Sequence, residues 1–308
     1  MHTAPAKIIL FGEHAVVYGE PAIAVPFNTL QAAAVATPAP QGSGLAIVAR
    51  DLNQTLQVQS LAETLDHALA YAAQITLRHL NAPVPDLTID LSSTIPLASG
   101  FGSGAATAAA LIRALSHAVG QPLEGEALNA LVYEVERLHH GTPSGIDNTV
   151  IVMNAPVYFV RGDAPQPFCV GEPLTFVVAN TGVAASTKET VGAVRELVER
   201  DPQMYRTLVT QIGQIVREAK THIEQGYLIG IGHLMALNQN CLRSLTVSSP
   251  LLDRLVKAAN DAGAIGAKLS GGGRGGNIIA LVDSPDAPTV AAALLEAGAA
   301  QTWTMRVS

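Results

Sequence analysis

Apolar residues along this chain follow two periodicities, and the switches between them outline its elements. Lys7–Phe11 is a short β-branched and apolar run that predicts a strand, stopped at Gly12-Glu13-His14. A second apolar run, Ala15–Tyr18, leads into a turn at Gly19-Glu20-Pro21. Ala22–Thr37, rich in Ala and Val, has a strand at its core. After the Pro- and Gly-rich connection Pro38–Gly44, Leu45–Ala49 and Thr55–Gln59 predict a pair of strands. Helical spacing begins at Ala62–Leu80, where Leu65, Leu69, Ala72, Ala73, Thr76 and Leu80 share one side and Asn81-Ala82-Pro83 ends the run. Leu87–Leu91 alternates as a strand does. A helix follows the glycine-rich stretch after it and stops at Gly120-Gln121-Pro122. Leu123–His140 is helical again, with Leu128, Leu131, Val132, Val135 and Leu138 on one face, and Gly141–Gly145 is a rigid turn.

Beyond that turn, Thr149–Met153 and Val157–Val160 predict strands, and Arg161–Pro173 is irregular. The domain boundary is placed there, giving domains 1–168 and 169–308. The second half predicts a strand at Thr175–Ala179 and helices at Thr187–Arg200, Gln203–Gln225, Tyr227–Leu245 and Pro250–Asn260. Strands at Ala264–Leu269 and Asn277–Val282, a helix at Ala287–Ala297 and a strand at Gln301–Val307 complete it. This order suits a small α+β domain of ferredoxin-like type.

Composition narrows the class. At 308 residues the chain is comfortable for two domains. Only 14% of residues are charged, which points to extensive burial and an interface such as that of a homodimer. The net charge of −7 is spread without blocks, so nothing resembles a nucleic-acid footprint. Two uncharged runs, Pro21–Ala49 and Leu91–Ile112, are broken by Pro, Gly and polar residues too often to span a membrane. The N-terminus lacks a signal-peptide pattern. Cys169 and Cys241 stand in no metal or redox spacing, as expected of free thiols in a reducing cytoplasm.

The chemistry centres on Pro96-Leu97-Ala98-Ser99-Gly100-Phe101-Gly102-Ser103-Gly104-Ala105-Ala106, which feeds an alanine-rich helix. Glycines let a backbone lie close to a ligand, and a helix N-terminus offers unpaired N–H groups and partial positive charge, so the stretch suits phosphate. A flexible loop before a core helix is the competing reading. It is neither a P-loop, since no Gly-Lys-Ser/Thr follows, nor a G-x-G-x-x-G dinucleotide turn.

Three more segments bear on that loop. Lys7, Glu13 and His14 surround one short apolar strand, where charged groups are unfavourable unless they serve a site. Glu136 and Asp147 are two carboxylates eleven residues apart, one near a helix end and one after a tight turn; a metal could take one and a substrate hydroxyl the other. Alternatively Asp147 merely bonds backbone. His139 and His140 point to different sides of a helix, which argues against a two-histidine metal site. Lys268–Gly276 holds five glycines in the six positions after Ser270, too flexible a composition for a simple hairpin.

In this order the segments resemble the GHMP kinase family, and most closely its mevalonate kinase branch. Lys7–Gly19 resembles that branch's first motif and Pro96–Ala106 the family's phosphate loop. Glu136–Asn148 is similar to E-R-x-x-H-G-x-P-S-G-x-D-N, Lys268–Gly276 to the third motif, and Asn180–Lys188 to the segment that closes over substrate. The resemblance implies an α+β fold of two domains, one like domain 2 of ribosomal protein S5 and one ferredoxin-like, with the site between them. It implies ATP- and Mg²⁺-dependent phosphorylation of the 5-hydroxyl of mevalonate in isoprenoid biosynthesis. Asp147 would be the base and Lys7 its partner at the hydroxyl. Pro96, Ala98, Ser99, Gly100, Phe101, Gly102, Ser103, Gly104 and Ala105, with Gly271 and Gly272, would cradle ATP. Glu136 and Ser103 would hold Mg²⁺, while Glu13, His14, Ser144, Gly145 and Thr187 would bind substrate. The sequence departs from the family at Gly104, where a metal-binding serine is usual, at Arg274, where a glycine is usual, and at Ala185, where many relatives carry a basic residue. Another GHMP kinase, acting on the 3-hydroxyl of mevalonate or on homoserine, and an inactive binding protein of the same fold are the rival readings.

Overall fold

The computed structural model describes residues 1–61, 67–97, 99–140, 143–184 and 187–308, with only the backbone of 139, 140, 187 and 188. Its contacts divide the chain into two compact units. Met1–Lys7, Phe27–Leu97 and Gly102–Asn154 form the first; Ile8–Pro26, Ala98–Phe101 and Ala155–Ser308 form the second. Two elements pass from one unit into the other, β1 (His2–Phe11) and β2 (Ala22–Pro38).

In the first unit, β3 (Leu45–Ala49) and β4 (Gln54–Val58) are antiparallel neighbours. After α1 (Ala68–His79), β5 (Leu87–Ser93) lies parallel to β3 and antiparallel to β2, pairing Ala32 with Ser93 through to Pro38 with Leu87. The helices are α2 (Ser103–Ala118), α3 (Gly125–His140) and α4 (Ile146–Met153). Helix α2 is the hub, touching α1, α3, α4 and β5. Its buried side includes Ala105, Ala106, Ala108, Ala109 and Ala110, small residues that let neighbours on several sides approach closely.

The strand expected at Thr149–Met153 is instead the end of α4. Gly145, at φ +92°, starts that helix, and Ile146 and Asn148–Val152 are all buried. Burial on every side erases the alternation that distinguishes strand from helix, and tertiary packing overrides the β-preference of Thr, Val and Ile. Ala15–Tyr18 is a 3₁₀ turn. Within the helix expected from Ala62, residues 62–66 lie outside the described part.

The second unit begins its later stretch with β6 (Val157–Phe159), which pairs with Ala22–Ala24, and the short β7 (Gln166–Pro167). β8 (Leu174–Asn180) is followed by α5 (Thr187–Arg200), α6 (Pro202–Gln225), α7 (Leu228–Ser244) and α8 (Pro250–Asp261). Then come β9 (Gly266–Ser270), β10 (Asn277–Val282), α9 (Ala287–Glu296) and β11 (Gln301–Val307). β11, β8, β10 and β9 form an antiparallel sheet in that order. Strand β8 is buried at every residue from Leu174 to Ala179, as a central strand covered on both faces should be. Helices α8 and α9 pack on this sheet, and α7 lies against β9, where Gly232 and Gly266 meet backbone to backbone. No described helix is long and apolar enough to cross a membrane.

Candidate active site

The first unit brings together the carboxylates and the lysine that the sequence holds far apart. Lys7, on β1, is only 4% exposed, and its Nζ lies 3.1 Å from Asp147 Oδ1. Asp147 stands in the first turn of α4, just after the left-handed Gly145, so the helix end favours its negative charge. Glu136 comes from α3 and is 5% exposed. Burial, then the neighbouring Asp147 carboxylate, raises its pKa to about 7, with Lys7 acting in the opposite sense. Two helices meeting at one turn thus convert an eleven-residue spacing into a site with two carboxylates and one ammonium.

The glycine-rich stretch enters α2 at Gly102, beside this cluster. Gly102 caps the helix at φ +76° and makes no side-chain bond to its N–H groups. A Cβ on Gly102 would lie 3.1 Å from Lys7 Cγ, so glycine lets the loop lie along the lysine stem. Ser103 is half-buried, Gly104 exposed and Ala105 buried. A Cβ on Gly104 would stand 3.0 Å from Glu136 Oε1, which places that carboxylate at the first turn of α2. Two like-charged carboxylates that repel each other, next to an open helix N-terminus, fit a divalent cation carried on phosphate oxygens. Among the described residues no cluster of three or more His, Cys, Asp or Glu forms a protein-only metal cage. Mg²⁺ typically binds through one or two carboxylates plus phosphates, which needs no such cage. Ser144 and Gly145 are half-buried in the turn before α4, and the Ser144 hydroxyl accepts from the Ile146 N–H at 3.4 Å. Pro96 is half-buried.

The second unit holds the other predicted residues. Ser99 is buried, and its carbonyl accepts from Asn277 Nδ2 at 2.6 Å. Gly100 has φ +80°, and Phe101 is buried edge-on to Trp303. In the turn joining β9 to β10, Gly271, Gly273 and Gly276 are all left-handed. A Cβ on Gly273 would fall 2.0 Å from the Val247 carbonyl, so only glycine fits there. The His14 ring bonds the Gly272 carbonyl through Nε2 at 2.9 Å. Burial, with Arg274's charge adding to it, lowers His14's pKa to about 4, although the Gly272 bond pulls the other way. Glu13 is fully buried and paired with the Lys268 ammonium, which also donates to the Leu269 carbonyl at 2.7 Å. Burial lowers the lysine's pKa, and the Glu13 charge and hydrogen bond oppose the shift. Ala98 and the Thr187 side chain lie outside the described part.

Lys268 and Asn277 are the site-associated residues that sequence reasoning left without a role. The signal for Lys268 was a lysine between Ala267 and Leu269 in a predicted strand, where a buried ammonium requires a partner. Asn277 carried no comparable signal, because its bond to Ser99 spans 178 positions.

A left-handed glycine at the head of a buried alanine-rich helix sets that helix end beside a lysine–aspartate pair and a second carboxylate, an arrangement suited to phosphoryl transfer onto a small molecule. The chain belongs to the GHMP kinase family: residues 67–155 match the pattern described as GHMP kinases N terminal domain, and 219–300 the one described as GHMP kinases C terminal. The relatives it resembles carry a particular name. It is 37% identical to mevalonate kinase of Pyrococcus horikoshii over 300 residues, covering 91% of this chain and 87% of that one. With mevalonate kinase of Thermococcus gammatolerans it shares 35% over 315 residues, covering 96% and 93%. Among solved structures, L. major mevalonate kinase in complex with R-mevalonate superposes with a TM-score of 0.86 at 28% identity, over 100% of this chain and 95% of that one. The two-domain α+β fold is that of the family.

Proposed function

We propose that this chain is an ATP-dependent kinase that phosphorylates the 5-hydroxyl of mevalonate, yielding mevalonate 5-phosphate and ADP. The observation that carries the chemistry is the Lys7–Asp147 pair at 3.1 Å beside a buried glutamate. Identity above 30% to several mevalonate kinases across nine-tenths of the chain supports the substrate.

Phosphoryl transfer passes through a loose, highly charged transition state, so the protein's work is positioning and charge neutralisation. The substrate oxygen attacks the γ-phosphorus, the bond from phosphorus to the β–γ bridging oxygen breaks, and the hydroxyl proton passes to Asp147. Lys7 holds Asp147 in place and offsets negative charge growing on the attacking oxygen. The Gly102–Ala105 backbone at the open end of α2 binds phosphate oxygens. Glu136, with Ser103 at the start of α2, would hold Mg²⁺, which when bound would neutralise the phosphate oxygens. His14 binds the substrate's polar groups as a neutral imidazole. Glu13, wholly enclosed with Lys268, is better assigned to holding the Gly12–His14 turn in place than to touching substrate. Functional modules at 1–168 and 169–308, a cytoplasmic location and a homodimer complete the proposal.

A coupled ADP-release assay with (R)-mevalonate tests it, with homoserine as the competing acceptor and phosphorus NMR of the product to tell 5-phosphate from 3-phosphate. Turnover of homoserine in preference to mevalonate, or a 3-phosphate product, would replace the reading by one of its rivals.

A further inference from the structure

Six described non-glycine residues have positive φ, and three of them are asparagines, which tolerate it. The other three, His14, Thr246 and Arg274, gather at the glycine turn between β9 and β10. Arg274, at φ +59°, donates its backbone N–H to the Val247 carbonyl at 2.7 Å, and its Nε reaches the carbonyl of Thr246 at 3.4 Å. Thr246 is itself at φ +60°, an outlier for a β-branched side chain. Two positions before Arg274, the Gly272 carbonyl holds His14, which has φ +62°. Strain concentrated in this way persists where function requires it.

The side chains supply a matching chemistry. A carbonyl only accepts, so Nε2 of His14 carries the hydrogen and Nδ1 presents a lone pair. Nδ1 is buried and has no partner among the described residues. It is therefore an acceptor suited to a ligand hydroxyl. Arg274 is exposed, and no carboxylate pairs with it among the described residues, which leaves its two terminal nitrogens available. Glycine would relieve the strain at 274, yet the chain keeps a cation there. A guanidinium on this turn and a hydroxyl acceptor hydrogen-bonded to it suit a hydroxy acid.

We propose that Arg274 is a specificity residue that binds the carboxylate of the hydroxy-acid substrate. This rests on the mevalonate reading. The neutral ring of His14 leaves the substrate's negative charge to Arg274, and the Thr246–Val247 carbonyls fix the direction of approach.

The test compares wild type with Arg274→Gly and Arg274→Lys on two acceptors: mevalonate, and 3-methylpentane-1,3,5-triol, which keeps the hydroxyls and lacks the carboxylate. Loss of a charge-assisted bidentate contact should raise the KM for mevalonate about 10- to 100-fold in Arg274→Gly, with kcat and the KM for ATP changed less than about threefold. The lysine variant should recover part of the loss, and the preference for mevalonate over the triol should collapse in the glycine variant. Melting temperature should hold or rise, because glycine is unstrained at this φ. An unchanged KM for mevalonate in Arg274→Gly would overturn the inference, as would a rise confined to the KM for ATP, which would assign the guanidinium to nucleotide phosphates. A wild-type protein inactive on mevalonate would instead overturn the functional reading on which the inference stands.

Discussion

The carboxylate of Glu136 lies so close to Gly104 that a Cβ there would be 3.0 Å from Oε1. The glycine therefore does more than omit a hydroxyl: it gives the glutamate room at the start of α2. A serine side chain would have to share that space, and only the flexible end of Glu136 would need to move. Mg²⁺ readily keeps water in place of a neutral hydroxyl ligand. Gly104→Ser is expected to shift the apparent affinity for Mg²⁺, or for Mn²⁺ read by paramagnetic resonance, by less than about threefold, whereas Glu136→Gln should weaken it by more than about tenfold. Equal effects of the two substitutions would mean that position 104, not Glu136, governs the metal.

Asp147→Asn should lower kcat by about 10²–10⁴-fold with nucleotide binding preserved, because it would remove the proposed base and leave the helix end intact. Lys7→Met should likewise reduce kcat far more than it raises the KM for ATP. Single-turnover rates together with equilibrium binding of an ATP analogue separate the two effects. Near-normal turnover in Asp147→Asn would reduce its pairing with Lys7 to a structural contact.

The buried Lys268–Glu13 pair yields a stability test. Breaking such a pair from one side strands a charge, typically at about 3–5 kcal/mol, whereas replacing both partners is often nearly neutral. Lys268→Met and Glu13→Gln should each lower the urea midpoint sharply, and the double variant should recover more than half of the loss. Additive losses in the cycle would mean that the two groups do not depend on one another.

His14 makes the acid limb of stability steeper. Its folded pKa, about 4, lies below the unfolded 6.5, so between those values the unfolded chain binds the additional proton. Its contribution is full above pH 6.5 and is lost as the pH falls toward 4, a total of about 3 kcal/mol. His14→Asn, which tolerates a positive φ, should flatten the profile across that window. A profile equally steep in the variant would place the acid sensitivity in the carboxylates.

Gly232 and Gly266 offer a test of packing. A Cβ on Gly266 would stand 2.5 Å from the Gly232 Cα, and one on Gly232 would stand 2.3 Å from the Ile265 carbonyl. Neither neighbour is a side chain that can rotate away, so alanine at either position should destabilise by about 1–3 kcal/mol or more through overpacking. A melting temperature within a degree of wild type would show that α7 and β9 can separate freely.

Local sequence determined the elements whose period or punctuation is strong: the amphipathic helices, the central strand before Asn180, and the glycine turns, because spacing and backbone freedom act within a few residues. It also marked Lys7, Glu136 and Asp147 as unusual by residue type. Tertiary structure alone decided the rest. Whether Thr149–Met153 was strand or helix depended on burial from every side, which no alternation reports. The first motif divides between the two units, with Lys7 in one and Glu13 and His14 in the other, although they are seven positions apart in sequence at most. Glu13, expected to meet substrate, pairs with Lys268, 255 positions away, a partner that no local pattern reports. Pairing, burial and the pKa shifts that follow from them are properties of three-dimensional neighbours, so the side chains were legible as chemistry while their roles waited on what the fold set beside them.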